Sequence, residues 1–187
     1  MRKFVVIIAV VVFAFSMLAT AQEETPKAQV FGGFSLLHIE QGGLPNNAEL
    51  NHYGWEAAVS YNANHWLGLK ADFSGHYKDL FPATAGTAAV SFDSFTAVFG
   101  PELSYRGKSA TPFMHALFGV NRLSVGSGPN NSDSAFAGAF GGGIDINLSD
   151  RFAFRLVQMD LLLTRHGGQD QKNLRASTGI VFRFGGH

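Results

Sequence analysis

The sequence predicts an all-β protein: an eight-stranded antiparallel up-and-down transmembrane β-barrel, preceded by a cleaved signal peptide. Three observations lead there. Eight segments of the 187-residue chain carry period-two alternation of apolar and polar side chains. The connections between them alternate long and short. The chain also opens on an export segment, and no stretch shows a sustained helical stripe.

The export segment comes first. Arg2 and Lys3 precede an almost wholly apolar run, Phe4 to Leu18, and Ala19-Thr20-Ala21 supplies the small residues that a signal peptidase reads. The expected domain boundaries are therefore 1–21 for the signal peptide, 22–28 for a short polar lead-in and 29–187 for the barrel. A retained membrane anchor is the alternative, but the apolar run is short for a spanning helix. No cysteine follows it, so there is no lipid-attachment site and no disulfide framework. Cleavage removes two of the 14 basic residues and none of the 14 acidic ones, which leaves a formal charge of −2 and no electrostatic footprint for nucleic acid.

The eight segments fall at about 29–38, 52–62, 66–76, 92–105, 111–122, 135–147, 151–164 and 173–184. The connections at 62–65, 106–110 and 147–150 are tight. Those at 39–51, 77–91, 123–134 and 165–172 are longer and rich in Gly, Asn, Pro or Ser. In a meander, alternate connections lie at opposite ends. All short turns then share one end with both termini, as periplasmic turns do in outer-membrane barrels.

Most segments show which residues share a face. In the second, Tyr53, Trp55, Ala57, Val59 and Tyr61 alternate with Gly54, Glu56, Ala58, Ser60 and Asn62. In the third, Leu67, Leu69, Ala71 and Phe73 oppose Gly68, Lys70, Asp72, Ser74 and His76. The fourth sets Phe95, Ala97, Phe99, Pro101, Leu103 and Tyr105 against Ser94, Thr96, Val98, Gly100, Glu102 and Ser104. The sixth sets Phe136, Phe140, Ile144 and Ile146 against Ala137, Ala139, Asp145 and Asn147. The eighth sets Leu174, Ile180, Phe182 and Phe184 against Arg175, Ser177, Gly179, Val181 and Arg183. Segments one (Phe31-Gly32-Gly33-Phe34) and five (Met114-His115-Ala116-Leu117) do not resolve their faces, although His115 inward is favoured. Segment seven breaks parity. A bulge near Val157-Gln158 would bring Arg155, Gln158, Asp160 and Thr164 to one side and Met159, Leu161 and Leu163 to the other.

Two features put the polar parity inside. It is crowded with glycine and alanine, which a narrow lumen needs and a wet surface does not. The apolar parity carries aromatic rings toward its ends, at the heights of two interfacial girdles. The expected lumen then holds Glu56, Asp72, Glu102, Asp145 and Asp160 against Lys70, Arg155, Arg175 and Arg183. Eight strands leave an interior that side chains fill, and charges packed there are costly unless paired. Near balance of sign favours a salt-bridged plug over a selective pore, which would show rings of one sign.

Other classes are weaker. A lipid-modifying enzyme needs a nucleophile, a base and an orienter. The histidines (His38, His52, His65, His76, His115, His166 and His187) include several near the long-loop rim, but no Ser and acid complete a triad or a metal site by spacing. Gly141-Gly142-Gly143 is not a phosphate loop, since no helix or lysine follows. A soluble lipocalin-like carrier would place its aromatics on the cavity face. No cofactor is expected. The extracellular ligand is not named by the sequence.

The end of the chain adds a resemblance. Ser177, Gly179, Phe182 and Phe184 form a polar–glycine–aromatic–aromatic spacing that resembles the C-terminal signal read by the bacterial barrel-assembly machinery. Gly185-Gly186-His187 follow the last aromatic. Phe140-Gly141-Gly142-Gly143-Ile144-Asp145, Phe154 to Asp160 and Leu174 to Ser177 are similar to pieces of small OmpA-like outer-membrane β-barrel proteins. The resemblance implies a Gram-negative cell envelope, insertion into outer-membrane lipid by that machinery, and a structural or surface-interaction role for the external loops.

Overall fold

The computed structural model describes residues 25–39, 50–81, 90–125, 132–166 and 169–185. The proposed signal peptide lies outside the described residues. Eight strands follow one another: β1 Ala28–Ile39, β2 Leu50–Asn62, β3 Leu67–Phe81, β4 Val90–Ser104, β5 Ala110–Val125, β6 Ser132–Asn147, β7 Phe152–His166 and β8 Gln169–Phe184. They pair antiparallel in chain order and close into a barrel. The closing seam joins β1 to β8 from Ala28↔Phe184 to Ile39↔Asn173. Closure leaves no sheet edge, the condition for a sheet to cross a bilayer. Among the described residues no helix is long and apolar enough to cross a membrane, which says nothing about a barrel.

The short turns are built as expected. Asn64 Oδ1 accepts from the backbone N–H groups of Trp66 (2.9 Å) and Leu67 (2.8 Å), an Asx turn joining β2 to β3. Ser149 Oγ accepts from Phe152 N at 3.1 Å between β6 and β7. Between β4 and β5, the carbonyl of Gly107 accepts from Asn147 Nδ2 at 2.6 Å, which ties two short turns together.

One connection differs from expectation. Residues 165–172 are not a long loop: β7 runs to His166, β8 starts at Gln169, and the two residues pair. The polar composition there mimics a loop because strand ends beyond the bilayer have no lipid face to keep apolar. For the same reason β3 and β4 extend to Phe81 and back from Val90, into the region read as loop.

Burial is inverted relative to a soluble domain. Among the described residues, 26 polar or charged side chains are buried against 12 apolar ones. Phe99 (70% exposed), Leu69 (63%) and Phe136 (62%) point outward, and so do Tyr53, Trp55, Tyr61, Phe95 and Phe184. This is the partition a lipid solvent demands, with the apolar band outside. Some outward rings also cover glycines. A Cβ at Gly75 would lie 2.8 Å from Trp55 Nε1 and 3.0 Å from the Tyr77 hydroxyl, so those rings lie directly over that bare stretch of backbone.

Strands β1 and β5 acquire definite faces. Gln29, Phe31, Ser35 and Leu37 point inward from β1, and Thr111, Phe113, His115, Leu117 and Asn121 from β5. Apolar groups therefore enter the lumen as well. Leu37, Val98, Leu117, Ala137, Ala139 and Leu162 form one cluster, and Phe31, Ala58, Ala153 and Val181 another.

Strand β7 carries the bulge. Its pairing with β8 jumps from Arg155↔Gly179 to Gln158↔Ser177, so two residues oppose one at Leu156-Val157. The Thr178 hydroxyl donates to the Arg155 carbonyl at 2.9 Å and anchors the kink. Arg155, Gln158, Asp160 and Thr164 are all buried, while Leu156, Val157, Met159 and Leu161 are exposed and Leu163 is half-buried.

Candidate functional site

The centre of the barrel is an ion network gathered from strands distant in sequence. Arg175 of β8 is its hub. Its Nη1 donates to Asp72 Oδ1 (2.9 Å) and Ser74 Oγ (2.9 Å). Its Nε and Nη2 donate to Asp160 Oδ2 at 3.0 and 2.6 Å, and Glu56 Oε2 stands 3.4 Å from Nε. One fully buried guanidinium thus faces three carboxylates, the arrangement for which a planar five-donor fork is suited.

Lys70 forms a second node. Its Nζ lies 3.4 Å from Asp72 Oδ2, 3.8 Å from Glu102 Oε2 and 3.1 Å from Gln158 Oε1. His115 Nε2 is 2.8 Å from Asp160 Oδ1, and its Nδ1 is 3.5 Å from Lys70 Nζ, so the ring bridges the two nodes. Gln158 joins everything: its amide donates to Glu56 (2.7 Å) and Asp160 (2.8 Å), and its carbonyl accepts from Lys70 and Arg155.

Arg155 closes the network toward the short-turn end. It grips Asp145 with Nε (2.8 Å) and Nη2 (3.2 Å) and donates Nη1 to Gln158 (2.6 Å). Its guanidinium carbon sits 4.3 Å from the Phe31 ring centre and 4.2 Å from that of Phe113, clamped between the two. On β6, Gly141 lets β7 approach: a Cβ there would come 2.1 Å from the Met159 carbonyl oxygen and 2.2 Å from Asp160 Oδ1.

Of the nine charged residues expected in the lumen, all are buried. Glu56, Lys70, Asp72, Glu102, Asp145, Arg155, Asp160 and Arg175 join the network. Arg183 lies nearer the short-turn mouth, where its Nη2 donates to Thr111 Oγ1 at 3.4 Å. The C-terminal set is spread along β8. Ser177 is buried, Gly179 pairs with Gly33, and Phe182 lies 4.8 Å from the Phe152 ring and 4.4 Å from that of Phe184. Sequence reasoning missed Phe31 and Phe113 as lumen groups. Their signal was present, since each shares parity with polar neighbours: Gln29 and Ser35 for one, Thr111 and His115 for the other.

A serine–histidine contact also exists. Ser35 Oγ lies 2.9 Å from His76 Nε2, both buried, but His76 Nδ1 has no hydrogen-bond partner among the described residues. No orienting acid completes it. Among the described residues no group of three or more metal-ligating side chains forms.

A closed eight-stranded barrel with ion pairs within and aromatic and aliphatic side chains without belongs to the class of integral outer-membrane barrels. Residues 7–184 match the outer membrane protein beta-barrel domain family, and the chain is a member of it. No curated protein matches it in sequence. Among solved structures it is similar to neisserial surface protein A (TM-score 0.63, 13% identity, 84% of this chain and 97% of that one). It is also similar to Ail, the attachment invasion locus protein of Yersinia pestis, solved with the heparin analogue sucrose octasulfate (TM-score 0.59, 15% identity, 84% and 99%). A third is OprG of Pseudomonas aeruginosa (TM-score 0.53, 12% identity, 87% and 97%). Identities this low speak to the fold. The family places the protein in the bacterial outer membrane, surrounded by lipid.

Proposed function

We propose that the barrel is a non-conducting scaffold that holds its long connections at the cell surface for structural or interaction roles. One observation carries this reading: the Arg155 guanidinium, bound to Asp145 and clamped between Phe31 and Phe113, closes the lumen beside a buried ion network. The chain has no catalytic role in this reading, because the Ser35–His76 pair is sealed from substrate and lacks an orienter. Export by cleavage after Ala21 and insertion by the barrel-assembly machinery, guided by Ser177, Gly179, Phe182 and Phe184, belong to the same proposal. The three longer inter-strand stretches, 40–49, 82–89 and 126–131, carry Glu40 and Glu49 and no Lys or Arg. A polysulfated ligand like that of Ail is therefore not supported, and a neutral or hydrogen-bonding partner suits them better.

Conductance of the folded protein in planar bilayers tests the central claim. The expected record shows no stable steps. Large, long-lived single-channel openings from pure protein would replace the scaffold reading with that of a narrow pore.

A further inference from the structure

We propose that the short-turn mouth of the barrel is a binding site for a phosphate-class anion. A cavity of about 960 Å³ opens there, and among the described residues it is lined by Arg106, Lys108, Arg151 and Arg183 with Asp150 as the single acid. Among the described residues, four cations against one carboxylate make it an electropositive recess at the short-turn end of a chain that is otherwise near neutral.

Arg106 is the decisive residue. It sits in the β4–β5 turn, half-buried, and its Nε and Nη2 are shielded from solvent with no hydrogen-bond partner among the described residues. Nε and one terminal nitrogen form the edge of the guanidinium that binds an oxyanion in bidentate fashion. The nearest lumen acids do not use that edge. Asp145 is held on both oxygens by Arg155; Glu102 accepts from Gln29 with Oε1 at 3.1 Å, and its Oε2 stands 3.8 Å from Lys70 Nζ with no hydrogen bond to Arg106. Burial, with Arg183 beside it, lowers the Arg106 pKa to about 10, so the group remains charged at neutral pH and an arriving anion relieves the crowding. Thr111 adds a hydroxyl to the wall.

The cavity also touches the lipid-facing rim. Phe184 and Leu148, both exposed, line its outer side. Phosphate chemistry could thus arrive from two sources, a phospholipid headgroup of the inner leaflet or a free periplasmic phosphate.

The test uses the full mature chain folded in an uncharged maltoside detergent, titrated by calorimetry with inorganic phosphate and with a short-chain phosphatidylglycerol. Saturable binding of at least one probe is expected, weakened about tenfold or more in Arg106→Gln and unchanged in Lys172→Gln, an exposed cation toward the opposite end. Response to the lipid alone assigns the site to a headgroup, and response to both assigns it to the phosphate itself. Arg106→Lys keeps the charge without the fork and is expected to bind at an intermediate level, which covers the case of a glutamine variant that fails to fold. Absence of binding to both probes, or equal loss in Lys172→Gln, overturns the proposal.

Discussion

At the scale of single residues, Arg175 is where the interior is most exposed to failure. Its guanidinium faces Glu56, Asp72 and Asp160, and none of the four has access to solvent. Removing one member of a buried pair costs more than the pair contributes, because the remaining charge stays buried without compensation. Arg175→Met should therefore lower stability by about 3–5 kcal/mol, read from urea unfolding in detergent micelles. Adding Asp72→Asn and Asp160→Asn to it should recover a large part of the loss, since two of the three carboxylates left without Arg175 are then neutral. If the triple variant were no better than the single one, lost packing rather than electrostatics would explain Arg175. Gly141 gives the opposite kind of test. A Cβ there would meet the Met159 carbonyl oxygen and the Asp160 carboxylate, so Gly141→Ala crowds β7 and should cost about 1–3 kcal/mol. An alanine variant with an unchanged unfolding midpoint would mean that the β7 backbone and Asp160 both shift without cost.

At the scale of the element, β7 tests how register and lumen chemistry are linked. The extra residue at Leu156-Val157 lets Arg155 and Gln158 both point inward although they are three apart. Deleting Val157 leaves Arg155 and Gln158 two apart, so β7 alternates without the bulge and still turns Gln158, Asp160 and Thr164 inward; the variant is expected to keep the heat-modifiable folded band on detergent gels. Loss of that band would show that the bulge is needed for its own shape, and not only to keep these side chains on the inner face. Leu161→Lys makes a second probe on the same strand: a cation on the lipid face near mid-membrane should cost about 2–4 kcal/mol. The same strand shows what the sequence discloses. Parity was readable on β2, β3, β4, β6 and β8 because one face of each is consistently apolar. Even the β7 bulge was legible, because two polar residues fell on the wrong parity. Strands β1 and β5 were harder to read for a physical reason: Phe31, Leu37, Phe113 and Leu117 point inward, so both faces carry apolar groups and only Gln29, Ser35, Thr111 and His115 mark the inner one. The partners within the network were not legible either. Which acid meets which base depends on strand tilt and on stagger around the barrel, and those are properties of closure rather than of any one strand.

At the scale of the whole molecule, the contacts that fill the lumen tie together strands that are not neighbours in the sheet. Arg175 of β8 binds Asp72 of β3, 103 residues away, and Gln158 of β7 binds Glu56 of β2, 102 residues away. A barrel held only by its seams could open at β1–β8 and lose strands one at a time. Cross-lumen bonds remove that option, because no strand bearing a network residue leaves without exposing a buried charge on another. Unfolding is thus expected to be a single transition, with the same urea midpoint for the fluorescence of lipid-facing Trp55 and turn-end Trp66 as for the mobility shift. Raising NaCl from 0.1 to about 0.5 M should leave that midpoint nearly fixed, since salt screens exposed charges far more than pairs sealed from water. Separate midpoints for the two probes would show that strands leave piecemeal. A steep fall with salt would place solvent, and so a conduction path, inside the barrel.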